Sequence, residues 1–399
     1  MKAAMWSAAA GVLLQLLVGG QPVAAGERLQ LASGLGGTPA FSAGVGLSSL
    51  IKFELLPRER IDLQAVESPG AIDNLRMLRS GRAELAILPS TIGHAARLGI
   101  GSFAGDPPMT GLRAIATLWR DALHLVVREE DVATGTIDDL SRLKDRSLFL
   151  GDASSGMADA SRLLLADLGM DADDSFKLAT IADGNGIAAM IDGEVDAFSA
   201  TARPPEAMFD MVFKGASPGE GSTSGLRLLD VTESQMARAN GNHWLWTPYV
   251  IAADTYPGQT DDVWTIGLSN LLVVRADVDP DVVHAMTKSI FENLSYLKRI
   301  DPLMADLSLE TALAGMAMPL HPGALRYYEE AGLIPKAGSA VETSPTLREG
   351  SEPEVTPERY PDGDVAGDWP YGAGGPLLRA KPPRTAPATA PHWRRRATL

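Results

Sequence analysis

The chain predicts an α/β fold built of strand–helix units, and three features of its pattern say so. Short apolar runs alternate with amphipathic helical runs from Leu29 to about Pro335. Glycine-rich turns with Ser or Thr caps stand between an apolar run and a helical run at three places. A nine-residue pattern also occurs twice, about 110 residues apart.

The apolar runs read as strands at 29–32, 61–65, 85–88, 112–118, 123–128, 147–150, 197–199 and 266–274. Helical periodicity appears at 39–53, 70–80, 137–143, 156–168, 187–192, 281–300 and 309–314. The repeated pattern is Leu78-Arg-Ser-Gly81-Arg-Ala-Glu84-Leu-Ala86 against Met190-Ile-Asp-Gly193-Glu-Val-Asp196-Ala-Phe198. Each copy reads as a helix end, a glycine suited to the left-handed position, an acid and a buried strand. Any unit that runs from helix to strand can end this way, so two equivalent lobes and a common local habit both account for it.

The ends of the chain read differently. Lys2, the apolar run 8–18 and the small residues Val23-Ala24-Ala25 have the three parts of a secretory signal, so residues 1–25 are expected to be removed on export. The apolar run is short for a membrane span and Gln15 interrupts it. Beyond residue 338 the composition shifts: ten of the 27 prolines fall between Pro345 and Pro391, with acids clustered at 342–368 and bases at 379–396. Residues 338–399 are expected to form a disordered tail.

Composition removes several function classes. There is no cysteine, which excludes disulfides, thiolate metal sites and a cysteine nucleophile. The six histidines share no i, i+4 or HxH spacing, so no metal site is expected. A net charge of −15 argues against nucleic acid as a partner. Gly34-Leu-Gly36-Gly37 fails the dinucleotide pattern because Pro39 stands where the third glycine belongs. No GxSxG is present; His124, His243 and His321 read as packed or turn residues, and no catalytic set or cofactor is expected.

What remains is binding. Gly36-Gly37-Thr38-Pro39, Ser68-Pro69-Gly70 and Gly151-Asp-Ala-Ser154-Ser155-Gly156 each follow a strand and open a helix. Capped helix N-termini at the carboxyl ends of strands offer N–H groups to an anion, although ordinary caps have the same sequence.

In order along the chain stand Ser33-Gly-Leu-Gly-Gly37, Asp73-Asn74-Leu75, Gly81-Arg-Ala-Glu84-Leu-Ala86, Leu123-His-Leu-Val-Val-Arg128, the segment 151–156, Gly193-Glu-Val-Asp-Ala-Phe198, Thr255-Tyr-Pro-Gly258, Phe291-Glu-Asn-Leu294 and Pro319-Leu-His-Pro-Gly-Ala324. With this series the chain resembles the TAXI family of solute-binding subunits of tripartite ATP-independent periplasmic (TRAP) transporters, over about Leu29 to Ala331. The resemblance implies a two-lobed type II periplasmic binding protein fold with an interlobe ligand cleft. Lobe I would take residues 26–121 and 267–337 and lobe II residues 122–266, with crossings near 120–123 and 264–268. It further implies that the protein delivers a small organic anion, a carboxylate or acidic amino acid, to a TRAP-type membrane permease. A sensor partner of a membrane receptor, or an enzyme on the same scaffold, are the alternatives.

Carried over residue by residue, the ligand positions are Gly34, Gly37 and Thr38, Gly70 with Asn74, Ser90, and Ser154, Ser155 and Gly156. The family's aromatic pair survives only as Phe41, beside Ala40. Its Gly-Ser is here Gly70-Ala71, its Gln-Ser-Asp is Pro89-Ser90-Thr91, and a common threonine is Met157. The expected ligand is therefore held mainly by backbone N–H groups and hydroxyls, with Arg203 or Arg120 as the positive charge. A surface salt bridge would equally account for Arg203.

Overall fold

A computed structural model describes residues 27–151, 156–181, 186–215, 225–241 and 244–335. The expectations for the signal at 1–25 and the tail at 338–399, and those for Ser154, Ser155 and His243, fall outside them.

The first lobe opens with β1 (Glu27–Gly34), α1 (Pro39–Glu54), a short α2 (Leu56–Glu59) and β2 (Ile61–Glu67). It continues through α3 (Ala71–Arg79), β3 (Leu85–Pro89) and α4 (Ser90–Leu98). A 17-residue strand, β4 (Leu112–Arg128), then carries the chain into the second lobe. There follow β5 (Ser147–Phe149), α5 (Met157–Asp167), α6 (Ala172–Ser175), β6 (Lys177–Leu178), α7 (Gly186–Asp192), β7 (Ala197–Ala202) and α8 (Ala207–Gly215). After β8 (Leu226–Leu228), α9 (Glu233–Asn240) and β9 (Trp246–Ile251), the long β10 (Val263–Arg275) returns to the first lobe. The last helices are α10 (Pro280–Glu292), α11 (Leu294–Ile300) and α12 (Pro322–Glu330).

The strands lie in the order β2-β1-β3-β10-β4-β7-β5-β6, with β8 on β4 and β9 on β10. This order contains a repeat: β2-β1-β3-β10 in one lobe matches β6-β5-β7-β4 in the other. In both lobes the three outer strands are parallel and the third meets its shared strand antiparallel. The echo in the sequence is this repeat seen locally. Glu84 accepts from the backbone N–H of Gln30 on the neighbouring strand (2.8 Å), and Asp196 accepts from that of Ser147 (2.9 Å). A Cβ on Gly81 would lie 3.3 Å from the Arg275 guanidinium, and one on Gly193 3.4 Å from that of Arg128. The α/β class is as the sequence predicts, and the fold has two lobes.

Each lobe has helices on both faces of its sheet, hence two cores. Leu31, Leu47, Ile51, Leu272, Met286 and Tyr328 fill one face of the first lobe, and Leu75, Leu88, Ile92, Leu271 and Met318 the other. On β4 the period of two is visible within the second lobe: Leu123, Leu125 and Val127 enter one core, Ala122 and Val126 the opposite one.

Four expectations need correction. The runs at 112–118 and 123–128 are one strand, because the polar step Arg120-Asp121 keeps its pairing with β10. The helix expected at 281–300 breaks at Asn293, whose side chain donates to the Ser289 carbonyl (2.9 Å). Residues 137–143 form a 3₁₀ helix, and 309–314 only turns. The helix of α4 was not expected, since its residues 90–96 are buried throughout and show no polar face to mark the period.

Candidate functional site

Three loops converge at the carboxyl ends of β1, β2 and β3. Gly34 ends β1 at φ +146°, and a Cβ there would stand 2.9 Å from the Thr38 hydroxyl, so glycine is required by both space and conformation. Gly37 follows at φ +86°. Thr38 caps α1: its hydroxyl accepts from the Phe41 N–H (3.3 Å) and donates to the Leu35 carbonyl (2.7 Å). The second loop is tied to the first where the Ser68 N–H donates to the Gly34 carbonyl (3.1 Å). Gly70 opens α3. Asn74, 1% exposed, has both ends of its amide engaged: Ser68 Oγ donates to its Oδ1, and its Nδ2 donates to the Ile87 carbonyl (2.8 Å). It ties β3 to the loop. At the third loop Ser90 and Thr91 begin α4 at 0% and 2% exposure, and neither hydroxyl finds a partner among the described residues.

The second lobe faces these loops with Gly156, at φ +74° before α5. A Cβ on Gly156 would lie 2.9 Å from Ile92 Cδ1, so the N-terminal turns of α4 and α5 touch across the lobes. Two hydrogen bonds also span them: Ser102 Oγ donates to Asp159, and Arg203 Nη1 donates to the Leu303 carbonyl (2.7 Å). Arg203 is thus an interlobe bridge. Gly34, Gly37, Thr38, Phe41, Gly70 and Asn74 form one connected group, and Ile92, two residues after Ser90, lies against Gly156.

A Cβ on Gly36 would be 2.5 Å from Glu67 Oε1, so a carboxylate of the protein lies against the glycine turn. Sequence separation hid this contact.

Where the shared strands pass between lobes, Ala122 of β4 pairs with Gly267 of β10. Beside them Asn270 Nδ2 donates to Asp121 (2.8 Å). Burial pushes the Asp121 carboxyl up to about 6 against the opposing hydrogen bonds from Asn270 and Trp119. The Arg120 guanidinium lies over the Tyr249 ring at 5.7 Å. Burial, with Asp306 nearby, raises the Tyr249 phenol.

His124 is a core residue. It is stacked on Phe209 at 3.9 Å, its Nδ1 meets the Ala122 carbonyl (3.0 Å), and its Nε2 accepts from the Tyr256 hydroxyl (2.7 Å). Burial lowers its pKa to about 4, which keeps it neutral. His321 caps α12, accepting from the Gly323 N–H at Nδ1 (3.2 Å). Two cavities of about 10 Å³ each, enough for one water at most, lie in the second-lobe core around Leu123, Ser161 and Leu164. They are packing gaps.

The profile of the NMT1-like family matches residues 31–332, and the chain belongs to that family. Among solved structures, the periplasmic sulfonate-binding protein SsuA of Methylobacillus flagellatus KT is 15% identical with a TM-score of 0.44, covering 77% of this chain and 88% of its own. A TctC solute-binding protein from Polaromonas is 15% identical with a TM-score of 0.43, covering 77% and 98%. The periplasmic aliphatic sulphonate-binding protein SsuA of Escherichia coli is 15% identical with a TM-score of 0.40, covering 76% and 83%. Among the described residues, no helix is long and apolar enough to cross a membrane.

Proposed function

We propose that this chain is an extracytoplasmic solute-binding protein that closes its two lobes on a small organic anion and presents it to a TRAP-type membrane permease. The observation that carries the reading is the meeting of α4 and α5 N-termini, at Ile92 and Gly156, from lobes joined by two continuous strands. Helix N-termini offer N–H groups and a positive dipole end to an acidic group, and a pair of strands acts as a hinge. Lobe I is then 26–121 with 267–337 and lobe II is 122–266, divided where Ala122 pairs with Gly267. The ligand positions are Gly34, Gly37, Thr38, Phe41, Gly70, Ser90, Ser154, Ser155 and Gly156. Asn74 supports them, and Arg203 fastens the closed state. Export, with cleavage near Ala25, places the protein in the periplasm. The TAXI resemblance supplies the permease class, and the sulfonate-binding neighbours make sulfonates worth testing beside carboxylates.

The test is a thermal-shift panel on the mature chain with carboxylates, sulfonates, acidic amino acids and neutral sugars. A ligand at 100 times its Kd stabilises by about 2.7 kcal/mol, a shift of a few degrees for a chain of this size. Stabilisation by one class of acid, with sugars inert, is the expected result. Stabilisation by sugars alone would overturn the anion assignment.

A further inference from the structure

Behind the interlobe bridge of Arg203 stand two buried residues to which the ligand positions give no role. Arg203 follows directly on β7, whose last residue, Ala202, pairs with Ala122 at the strand crossing. Its Nη1 donates to the Leu303 carbonyl (2.7 Å) in the 3₁₀ turn Pro302–Asp306 of the first lobe. After it, Pro204-Pro205 lead to Glu206 and the start of α8, and the proline rings leave little freedom of φ on the way. The stretch 203–206 is therefore stiff, and the place of Arg203 depends on where the two ends of that stretch are held. One end is the Ala202 pairing. The other is Glu206, whose backbone N–H donates to the Tyr256 hydroxyl (3.3 Å).

Tyr256 is fixed in its turn. Gln259 closes the loop between β9 and β10: its Nε2 donates to the Ile251, Ala252 and Asp261 carbonyls (3.2, 2.9 and 3.0 Å), and its Oε1 accepts from the Tyr256 N–H (3.2 Å). The Tyr256 ring is 2% exposed and stands against Phe209 and Phe213. His124, wholly buried, sets the direction of the hydroxyl. Its Nδ1 faces the Ala122 carbonyl (3.0 Å), which can only accept, so Nδ1 carries the ring proton and Nε2 a lone pair. Nε2 therefore accepts from the Tyr256 hydroxyl (2.7 Å), and the phenol oxygen is left to accept from Glu206. One chain of hydrogen bonds thus runs from Ala122 at the crossing through His124 and Tyr256 to Glu206, and both its ends lie beside Arg203. An apolar pair would fill this space as well; a fully bonded polar chain also fixes position and direction.

We propose that Tyr256, oriented by His124, is a positioning residue for lobe closure: it pins Glu206 so that Arg203 reaches across to the Leu303 carbonyl. This rests on the closing of the lobes in the solute-binding reading above and deepens it, by naming what holds the second-lobe side of the latch. Arg203 is the group that touches the other lobe, and Tyr256 and His124 act only through it. Loss of the Tyr256 hydroxyl then loosens the closed state without removing any group that the two lobes share.

The experiment is solution scattering on the full mature chain without ligand, in a Ser102→Ala background where one of the two interlobe bonds described above is already gone. Arg203→Ala is expected to enlarge the radius of gyration there. Tyr256→Phe, which keeps the ring and deletes the hydroxyl, is expected to reproduce most of that increase. With Arg203→Ala already present, Tyr256→Phe should add nothing to the radius. A residue that merely packs the core would lower the melting temperature in either background and leave the radius alone. His124→Phe, which keeps a flat ring on Phe209 and deletes the acceptor, is read in the same way should Tyr256→Phe fail to melt cooperatively. A folded Tyr256→Phe chain with the radius of its Ser102→Ala parent, where Arg203→Ala enlarges it, overturns this proposal and leaves lobe closure intact. So does an increase that persists undiminished on top of Arg203→Ala. No increase from Arg203→Ala itself removes Arg203 as the fastening and overturns the proposal together with that part of the reading.

Discussion

His124 and Asp121 lie three residues apart on β4 and respond to pH in opposite directions. Burial holds His124 at about 4, below its ordinary 6.5, so the folded state binds fewer protons there than the unfolded chain. Its contribution is complete above 6.5 and is lost as pH falls towards 4. Burial raises Asp121 from 3.8 to about 6, so the folded state binds more protons than the unfolded chain between those values. Stability from this group is greatest below 3.8 and declines as pH rises through 6. Each shift corresponds to roughly 3 kcal/mol between the charged and neutral forms. The two slopes offset each other in nearly the same window. We therefore expect Asp121→Asn to steepen the rise in melting temperature from pH 4 to 6.5, and His124→Gln to make stability fall over pH 4 to 6. Flat profiles in both variants would refute the pairing. At Asn74, replacement by Ala strips the Ser68 hydroxyl and the Ile87 carbonyl of a buried partner. A loss of about 1–3 kcal/mol in denaturant unfolding is expected.

Among the elements, α10 and α12 approach closely. A Cβ on Gly323 would come 2.2 Å from the Pro280 carbonyl and 2.7 Å from the His284 backbone nitrogen. Backbone cannot step aside as a side chain does, so Gly323→Ala should destabilise by about 1–3 kcal/mol through overpacking. Ligand affinity should stay unchanged in the folded fraction; a neutral substitution in chemical denaturation would show that the helices can part. Helix boundaries were legible where a cap announces them. Thr38-Pro39 starts α1, and the helix expected from residue 281 begins at Pro280, whereas His321, read as a turn residue, is the cap of α12. They were not legible at α4, buried from Ser90 to Ala96, where there is no solvent face to give an amphipathic period. Nor did local sequence show that 112–128 is one strand, because a polar Arg-Asp step inside a strand makes sense only once β10 and Asn270 are beside it.

On the scale of the molecule, Arg203 to Leu303 and Ser102 to Asp159 join the lobes away from the shared strands, beside the apolar contact of Ile92 with Gly156. In the proposed closure these are the bonds that break when the lobes part. We expect Arg203→Ala combined with Ser102→Ala to shift the free protein towards an open form, seen as a larger radius of gyration in solution scattering, while the melting transition stays cooperative. An unchanged radius would place the hold on the lobes elsewhere. The sequence by itself determined the α/β class and the capped start of α1, because capping and period are local properties, while the echo of Gly81 and Glu84 in Gly193 and Asp196 became a likeness of lobes only with the strand order in hand. Only the tertiary structure decided that Glu67 faces the Gly36 turn, that Asn74 is a tie and Arg203 a bridge, and that Arg120 lies over Tyr249. These are matters of which residues meet, and a folded chain brings together groups that its local sequence does not relate.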